Sequence, residues 1–321
     1  MSAAFDLAAL QIDAARVTAQ IAEALRRQVL KDLRRRGIVV GLSGGVDSSV
    51  VAALAVRALG PKKVLGVMMP EQDNDPDSLR LGRLVAAQLR IESVVEDITP
   101  ILAGAGCYRR RDEYIRRIFP EYGPGYRCKI AVRKAGNYNV SYLVIRSPDG
   151  VQKEARMPID AYLGIVAATS MKQRTRKQIE YYHADRLNYA VAGTPNRLEY
   201  DQGFFVKNGD GSADVKPIAH LYKSQVYQLA DHLGVPEEIR SRPPTTDTYS
   251  LAQTQEEFYF GIPLRQLDLC VYALDHGVPA AELAAVVGLT VEQVEEVYRD
   301  IAGKRLSTRY QHEPPMLVES L

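Results

Sequence analysis

Cysteine is scarce in this chain, and the placement of the few present excludes several functions at once. Cys107, Cys128 and Cys270 are odd in number and form no C-x-x-C pair, which argues against a disulfide framework, a structural zinc site and a persulfide relay. A reducing compartment, the cytoplasm, is the expected location. The histidines His183, His220, His232, His276 and His312 show no ligand spacing, so no zinc site is expected from them either. Excess charge is also lacking: 41 basic side chains against 39 acidic ones leave a formal net charge of +2. Bulk electrostatics therefore gives no pull toward nucleic acid or an anionic membrane, and a phosphate-bearing ligand has to be caught locally. No apolar run approaches the length of a membrane span. The stretch up to Gly37 has apolar residues at helical spacing interrupted by charge, unlike the continuous apolar core of a secretory signal.

What is present is enough apolar sequence, 46% of 321 residues, to bury a large core. Periodicity predicts an amphipathic helix over 5–36, where Arg34, Arg35 and Arg36 suit the negative helix end and Gly37 permits the stop. A buried strand at 38–42, a helix at 48–59, a strand at 62–70, a helix at 77–89 and a β-branched stretch at 91–98 then alternate. Such alternation predicts an α/β fold: a doubly wound, mainly parallel sheet with helices on both faces and a ligand crevice at the carboxyl ends of the strands. Between about 105 and 160 the pattern changes to an arginine- and tyrosine-rich stretch and two strands joined by a Ser-Pro-Asp-Gly turn, which reads as an inserted lid or hairpin. Helices at 160–169 and 173–186, a strand at 188–193 and a helix at 222–233 resume the alternation. The tail predicts helices at 263–275, 279–287 and 291–302. The organisation is thus one domain over 1–321, with an N-terminal helix (1–37), a basic insertion (105–160) and C-terminal helices (260–302). The last two tail helices have the spacing of a helix-turn-helix, but Glu292, Glu295 and Glu296 on the second would repel DNA phosphates, so a packed helical hairpin is expected.

The chemistry starts at Ser43, where the first buried strand breaks into Ser-Gly-Gly-Val-Asp-Ser-Ser. Gly44 and Gly45 allow backbone N–H groups to converge, and the helix that follows adds its own free N–H groups and positive dipole end, so a phosphate or pyrophosphate fits. No lysine follows the glycines, unlike G-x-x-x-x-G-K-[ST]. Asp47 would repel a polyphosphate unless a cation lies between them, and magnesium is the natural candidate. The plainer alternative is a tight turn with a helix cap.

Ser43 to Ser49, placed after a buried strand, resembles the S-G-G-x-D-S loop of the ATP pyrophosphatases (the PP-loop superfamily, of adenine nucleotide alpha-hydrolase-like fold), which cut ATP between its α and β phosphates. The stretch from 192 to 239, with Gly-Thr at 193 and 194, Glu199, Gly-Asp-Gly at 209–211, Asp214 and Lys223-x-Gln225-Val226, closely resembles ammonia-dependent NAD synthetase within that superfamily. Met-Lys-Gln-Arg-Thr-Arg from 171 and Pro-Pro-Thr-Thr-Asp at 243–247 extend the similarity. It implies that Ser43, Gly44, Gly45, Asp47 and Ser48 hold the ATP phosphates, with Thr194 on ATP. Asp47 and Glu199 would share magnesium, and Lys223 would approach the phosphates. Arg174, Lys207, Asp210 and Asp214 would lie around deamido-NAD, the substrate whose carboxylate is adenylated before ammonia displaces AMP. Catalytic roles fall to Asp47, Lys223, Arg174 and Asp210, the last as acceptor of a proton from ammonium. The resemblance also implies a homodimer. No glutaminase segment is seen, so nitrogen is expected as free ammonia or from a separate glutaminase protein.

The pattern departs from that family at three positions: Tyr310 and Gln311 stand where lysine and arginine are usual, and Ser170 where asparagine is common. The alternatives these leave open are an amide synthetase acting on a different carboxylate and a tRNA-acting or regulatory ATP-binding protein. The cations of the insertion, Arg109, Arg110, Arg111, Arg116, Arg117, Arg127, Lys129, Arg133 and Lys134, form either a lid that replaces the lost charges or meets a partner, or a solvated surface.

Overall fold

The computed structural model describes residues 5–135, 138–246 and 248–319. After a 3-10 turn at Leu7–Leu10, the chain runs through helix α1 (Ala14–Arg27), strand β1 (Ile38–Gly41), α2 (Val46–Leu59), β2 (Val64–Met68), α3 (Pro76–Leu89) and β3 (Glu92–Val95). Helices α4 (Thr99–Gly104) and α5 (Cys107–Arg116) lead to strands β4 (Arg127–Ala135), β5 (Tyr138–Arg146) and β6 (Gln152–Arg156). Then follow α6 (Ile159–Leu187), β7 (Ala190–Ala192), α7 (Arg197–Asp201), α8 (Lys223–His232), α9 (Glu237–Arg240), α10 (Leu264–Asp275), α11 (Ala280–Val287) and α12 (Val291–His312).

The main sheet has the order β3-β2-β1-β7 and all three pairings are parallel, with Val39 opposite Leu65 on one side and Val191 on the other. Successive side chains of β1 go to opposite faces, and both faces are covered. Ile38 and Val40 pack with Leu25, Leu54 and Val226 from α1, α2 and α8, whereas Val39 packs with Leu102 of α4 and Ala184 of α6. Two-sided burial is why this strand is an unbroken apolar run, as parallel sheets require. The doubly wound expectation is therefore met.

Several boundaries differ from the sequence reading. The first helix does not span 5–36: Asp13 caps α1, its side chain accepting from Arg16 N at 3.0 Å, and the end loosens into a π turn at Gln28–Asp32. The left-handed residue that turns the chain is Arg34, with φ of 53°, not Gly37. Gly37 is needed for close approach, because a Cβ there would lie 2.5 Å from the Lys63 carbonyl and from the Tyr189 ring. The two helices expected at 160–169 and 173–186 are one helix, α6. Its buried face carries Thr169, Lys172, Thr175, Lys177, Glu180 and His183, so the apolar stripe fades while the helix continues. α12 likewise runs ten residues past its expected end at 302.

Residues 127–156 form a three-stranded antiparallel sheet, β4-β5-β6, packed through Ile130, Leu143 and Ile145 onto Ile115 and Ile165. The sequence reading found the second and third strands but neither α5 nor β4. Most of the basic side chains here meet acids: Arg109 with Glu113, Arg117 with Asp160, Lys129 with Glu257 and Arg133 with Glu154. Arg111 is buried, and the side chain of Lys134 lies outside those described. The C-terminal helices share a separate core in which Leu267, Val271, Leu283, Val294 and Ile301 interlock, which makes α11 and α12 the packed hairpin expected. Among the described residues no helix is long and apolar enough to cross a membrane.

Candidate active site

β1 ends at Gly41 and α2 begins at Val46, so Ser43–Gly45 make the turn at the carboxyl edge of the sheet. Gly44 has φ of 77°, and a Cβ there would stand 2.6 Å from the Ser78 carbonyl of α3; only glycine satisfies both conditions. Hydroxyl groups lock the turn: Ser48 Oγ and Ser49 Oγ donate to the Gly45 carbonyl at 3.0 and 2.8 Å, and Gly45 N donates to Ser43 Oγ at 3.3 Å. The first N–H groups of α2 have no carbonyl one turn back and point outward at the positive end of the dipole.

Asp47 sits on that first turn and meets two other segments. Lys223, the buried first residue of α8, donates its Nζ to Asp47 Oδ2. Asn196 Nδ2 donates to Asp47 Oδ1 at 3.2 Å. Asn196 also caps α7 reciprocally: its Oδ1 accepts from Glu199 N at 3.3 Å while its own N–H donates to Glu199 Oε2 at 3.1 Å. Gln255 Nε2 holds the other oxygen of Glu199 at 2.8 Å. Burial works against the Lys223 charge, but the Asp47 and Glu199 carboxylates beside it more than offset that and raise its pKa. Burial, and then the nearby Asp47 charge, push the Glu199 carboxyl up to about 7. Neither Asn196 nor Gln255 was singled out in the sequence. For Asn196 a signal existed, the N-x-x-E spacing of a capping box; for Gln255, which arrives from a distant loop, there was none.

Two adjoining clefts meet at the turn. One, of about 460 Å³, is lined by Ser43 to Ser48, Arg174, Thr194, Glu199, Lys207, Asp210, Lys223, Tyr310 and Gln311. The other, of about 400 Å³, is lined by Leu42, Met68, Met69, Pro70 and Leu79 with Glu71, Arg176, Lys177 and Glu180. Ser43, Thr194 and Asp210 face both. The polar cleft suits phosphates and a charged substrate; the apolar walls of the other suit a flat base.

The expected residues are thus largely brought together, with one exception. Asp214 lines neither cleft: it accepts from Val191 N at 2.7 Å and from the Tyr181 hydroxyl at 3.4 Å, fastening the end of β7. Asp210 accepts from Val206 N at 2.7 Å, and burial raises its pKa. Arg174 Nε donates to the Lys207 carbonyl at 3.2 Å, and Lys207 Nζ in turn donates to the carbonyls of Tyr310 and Glu313 at 2.7 and 3.0 Å. Lys207 therefore straps the end of α12 over the polar cleft, which is how Tyr310 and Gln311 come to line it. Pro243, Pro244, Thr245 and Thr246 line that cleft too, while Asp247 lies outside the described residues. Ser170 is a wall residue of the same cleft. Among the described residues none between 107 and 156 lines either cleft, so the described cations of the basic stretch stand apart from the place of Tyr310 and Gln311.

Behind the apolar cleft lies a buried charge cluster. Lys172 Nζ donates to Glu71 Oε1 at 2.9 Å, Asp73 Oδ2 at 2.7 Å and the Thr248 carbonyl at 2.8 Å. Arg111 of α5 also reaches Asp73, and the Tyr108 hydroxyl donates to Glu71 Oε2 at 2.9 Å. Burial alone would raise Asp73, but Lys172 and Arg111 hold its carboxyl below the usual range. These contacts fasten the loop after β2, which forms one wall of the cleft.

Comparison with known proteins matches residues 17–114 and 137–315 to the model of the NAD synthase family. The chain belongs to this family. It is 62% identical to the NH(3)-dependent NAD(+) synthetase of Rhizobium meliloti (strain 1021) over 98% of this chain and 95% of that protein. It is 33% identical to the protein of the same name from Coprothermobacter proteolyticus, over 87% of this chain and 93% of that one. Among solved structures, NMN synthetase from Francisella tularensis superposes with a TM-score of 0.64 at 20% identity, covering 96% of this chain and 99% of that one. NH3-dependent NAD synthetase from Campylobacter jejuni superposes with a TM-score of 0.62 at 20% identity, covering 96% and 100%. The two structural likenesses establish the parallel α/β fold. The internal stretch of this NAD synthase family member left unmatched, 115–136, contains β4.

In this family member the Glu199 carboxyl also makes a measurable signature. A carboxyl whose pKa rises on folding binds protons better when folded, so its contribution to stability declines as pH climbs from the ordinary carboxylate range toward 7. The metal-free protein is expected to lose melting temperature over that window, and Glu199→Gln is expected to flatten the loss. Thermal scans from about pH 5 to pH 8 on both proteins check this.

Proposed function

We propose that this chain is an ammonia-dependent carbon–nitrogen ligase that makes NAD from nicotinic acid adenine dinucleotide (deamido-NAD), ATP and ammonia, releasing AMP and pyrophosphate. The observation that carries the reading is the convergence of Asp47, Glu199 and Lys223 over the Ser43–Ser48 turn. It accords with the names of the relatives at 58–62% identity.

Ammonia only protonates a carboxylate, so the acid has to be activated. The substrate carboxylate attacks the α-phosphate of ATP and the bond to the β-phosphate breaks; ammonia then displaces AMP from the acyl-adenylate. The turn and the first N–H groups of α2 receive the β and γ phosphates, with the hydroxyls of Ser43 and Ser48 beside them and the base in the apolar cleft. Thr194, at the junction, faces the nucleotide. Lys223 offsets the charge that builds as pyrophosphate leaves, and Arg174 does the same from the polar cleft. Asp47 and Glu199, whose carboxylates both lie beside Lys223, are a fitting pair for magnesium, which when bound would neutralise phosphate oxygens. Asp210 faces both clefts with a raised pKa, which suits it to take a proton from ammonium. Lys207 acts on the substrate through the tail it straps, and Asp214 through the β7 end it fastens.

The three cysteines are buried and burial raises each thiol, so ammonia enters free or from a separate glutaminase protein. We place the enzyme in the cytoplasm as a homodimer, for which the exposed Ile159 and Leu163 of α6 offer an apolar contact. The test is purified protein with ATP, magnesium, ammonium and deamido-NAD, followed by mass spectrometry. NAD and AMP in equal amounts are expected. AMP formed only with some other acid would shift the acyl substrate, and no pyrophosphate release with any acid would remove the ligase reading.

A further inference from the structure

The geometry points to Asp268, a fully buried carboxylate on α10, as a positioning residue for Lys223. The inference rests on the role given to Lys223 above. Asp268 Oδ1 accepts from Lys223 N at 3.0 Å, and Oδ2 accepts from Ser224 N at 2.7 Å and from Ser224 Oγ. Both oxygens are therefore spent on the first two residues of α8. The lysine head is directed elsewhere, its Nζ donating to Asp47.

A helix start ordinarily takes its cap from the residue just before it. Here the cap comes from 44 or 45 residues along the chain, out of the separate core of the C-terminal helices. Two-point attachment matters because Lys223 has a long flexible stem: the position of its ammonium depends on where its Cα is rooted and how the first turn is rotated. A carboxylate holding two consecutive N–H groups fixes both, and its charge is favoured at the positive end of α8. Burial pushes the Asp268 carboxyl up to about 6, and the hydrogen bonds from Ser224 and Lys223 hold it down against that. α10 thereby reaches the reaction without lining either cleft, through the hydrogen bonds of Asp268 to Lys223 and Ser224.

The experiment measures kcat and KM for ATP in wild type, Asp268→Asn, Lys223→Met and the double variant, with NAD quantified by mass spectrometry over long incubations and folding followed by circular dichroism. Asp268→Asn keeps one acceptor oxygen and is expected to lower kcat on the order of tenfold to a hundredfold, the cost of displacing a transition-state group by a fraction of an ångström, with little change in KM for ATP. In the Lys223→Met background the same substitution is expected to cost less than about twofold. Equal losses in both backgrounds would show a purely structural cap and overturn the inference, as would no loss in wild type. Lys223→Met with near-normal turnover would instead remove the role of Lys223 itself. Should Asp268→Asn fail to fold, Ser224→Ala removes only the hydroxyl contact and is expected to lower kcat about threefold, again only when Lys223 is present.

Discussion

Asp47→Asn is expected to lower kcat on the order of a thousandfold while the protein stays folded. The side chain projects from the first turn of α2, where Lys223 Nζ and Asn196 Nδ2 converge on its two oxygens. An amide of the same size can keep one of these contacts but loses the charge that pairs with Lys223 and that would bind a cation. Lys223 is almost fully buried, so Glu199 is then the main charge left to offset that burial. Burial, the larger cause of the raised Glu199 pKa, stays, but the Asp47 charge that adds to it is gone, so the carboxyl is expected to fall part of the way toward the usual range. The variant should therefore show two linked changes: near loss of turnover, and weaker dependence of the remaining rate on magnesium. Steady-state kinetics against magnesium concentration checks both. A variant with unchanged kcat and unchanged magnesium dependence would remove Asp47 from the reaction.

The second large effect is on stability. Lys172→Met is expected to destabilise the fold by about 3–5 kcal/mol, because removing one member of a buried ion cluster leaves the others charged and uncompensated. Lys172 is completely buried and its Nζ meets Glu71, Asp73 and a backbone carbonyl. Without it, Glu71 retains the Tyr108 hydroxyl and Asp73 retains Arg111, but two carboxylates then share one cation. Denaturant unfolding should show a lower midpoint with an unchanged slope, and KM for ATP should rise because the loop bearing Glu71 walls the apolar cleft. Changing Glu71 to Gln in the same protein should recover part of the lost stability. An unchanged midpoint for Lys172→Met would contradict the view that this cluster holds the cleft wall.

These two sites show which parts of the molecule the sequence disclosed. The Ser43–Ser48 turn was legible because its constraints are local: a buried strand, a glycine forced to positive φ and a helix start all fall within a dozen residues. Glu199 and Lys223 were legible through spaced similarity, since nothing in periodicity places them beside Asp47. The Lys172 cluster was hidden because its members come from three elements and α6 buries a polar face, which mimics a break in the helix. Asp268 was hidden because α10 also carries Arg265, Gln266 and Asp275, so one more polar residue there looks like surface. Asp214 was named for the site and instead fastens β7, a distinction that depends on which way a loop side chain turns. The arginine-rich stretch was read as an insertion from its composition, whereas its pairing with Glu154, Asp160 and Glu257 required three-dimensional contacts.

The central claim is that a substrate carboxylate attacks the α-phosphate of ATP above the Ser43–Ser48 turn. Deamido-NAD labelled with oxygen-18 in its carboxylate, turned over with ATP and ammonium, tests it most directly. The account predicts AMP carrying one labelled oxygen and NAD retaining the other. Unlabelled AMP, or ADP and phosphate in its place, would contradict it.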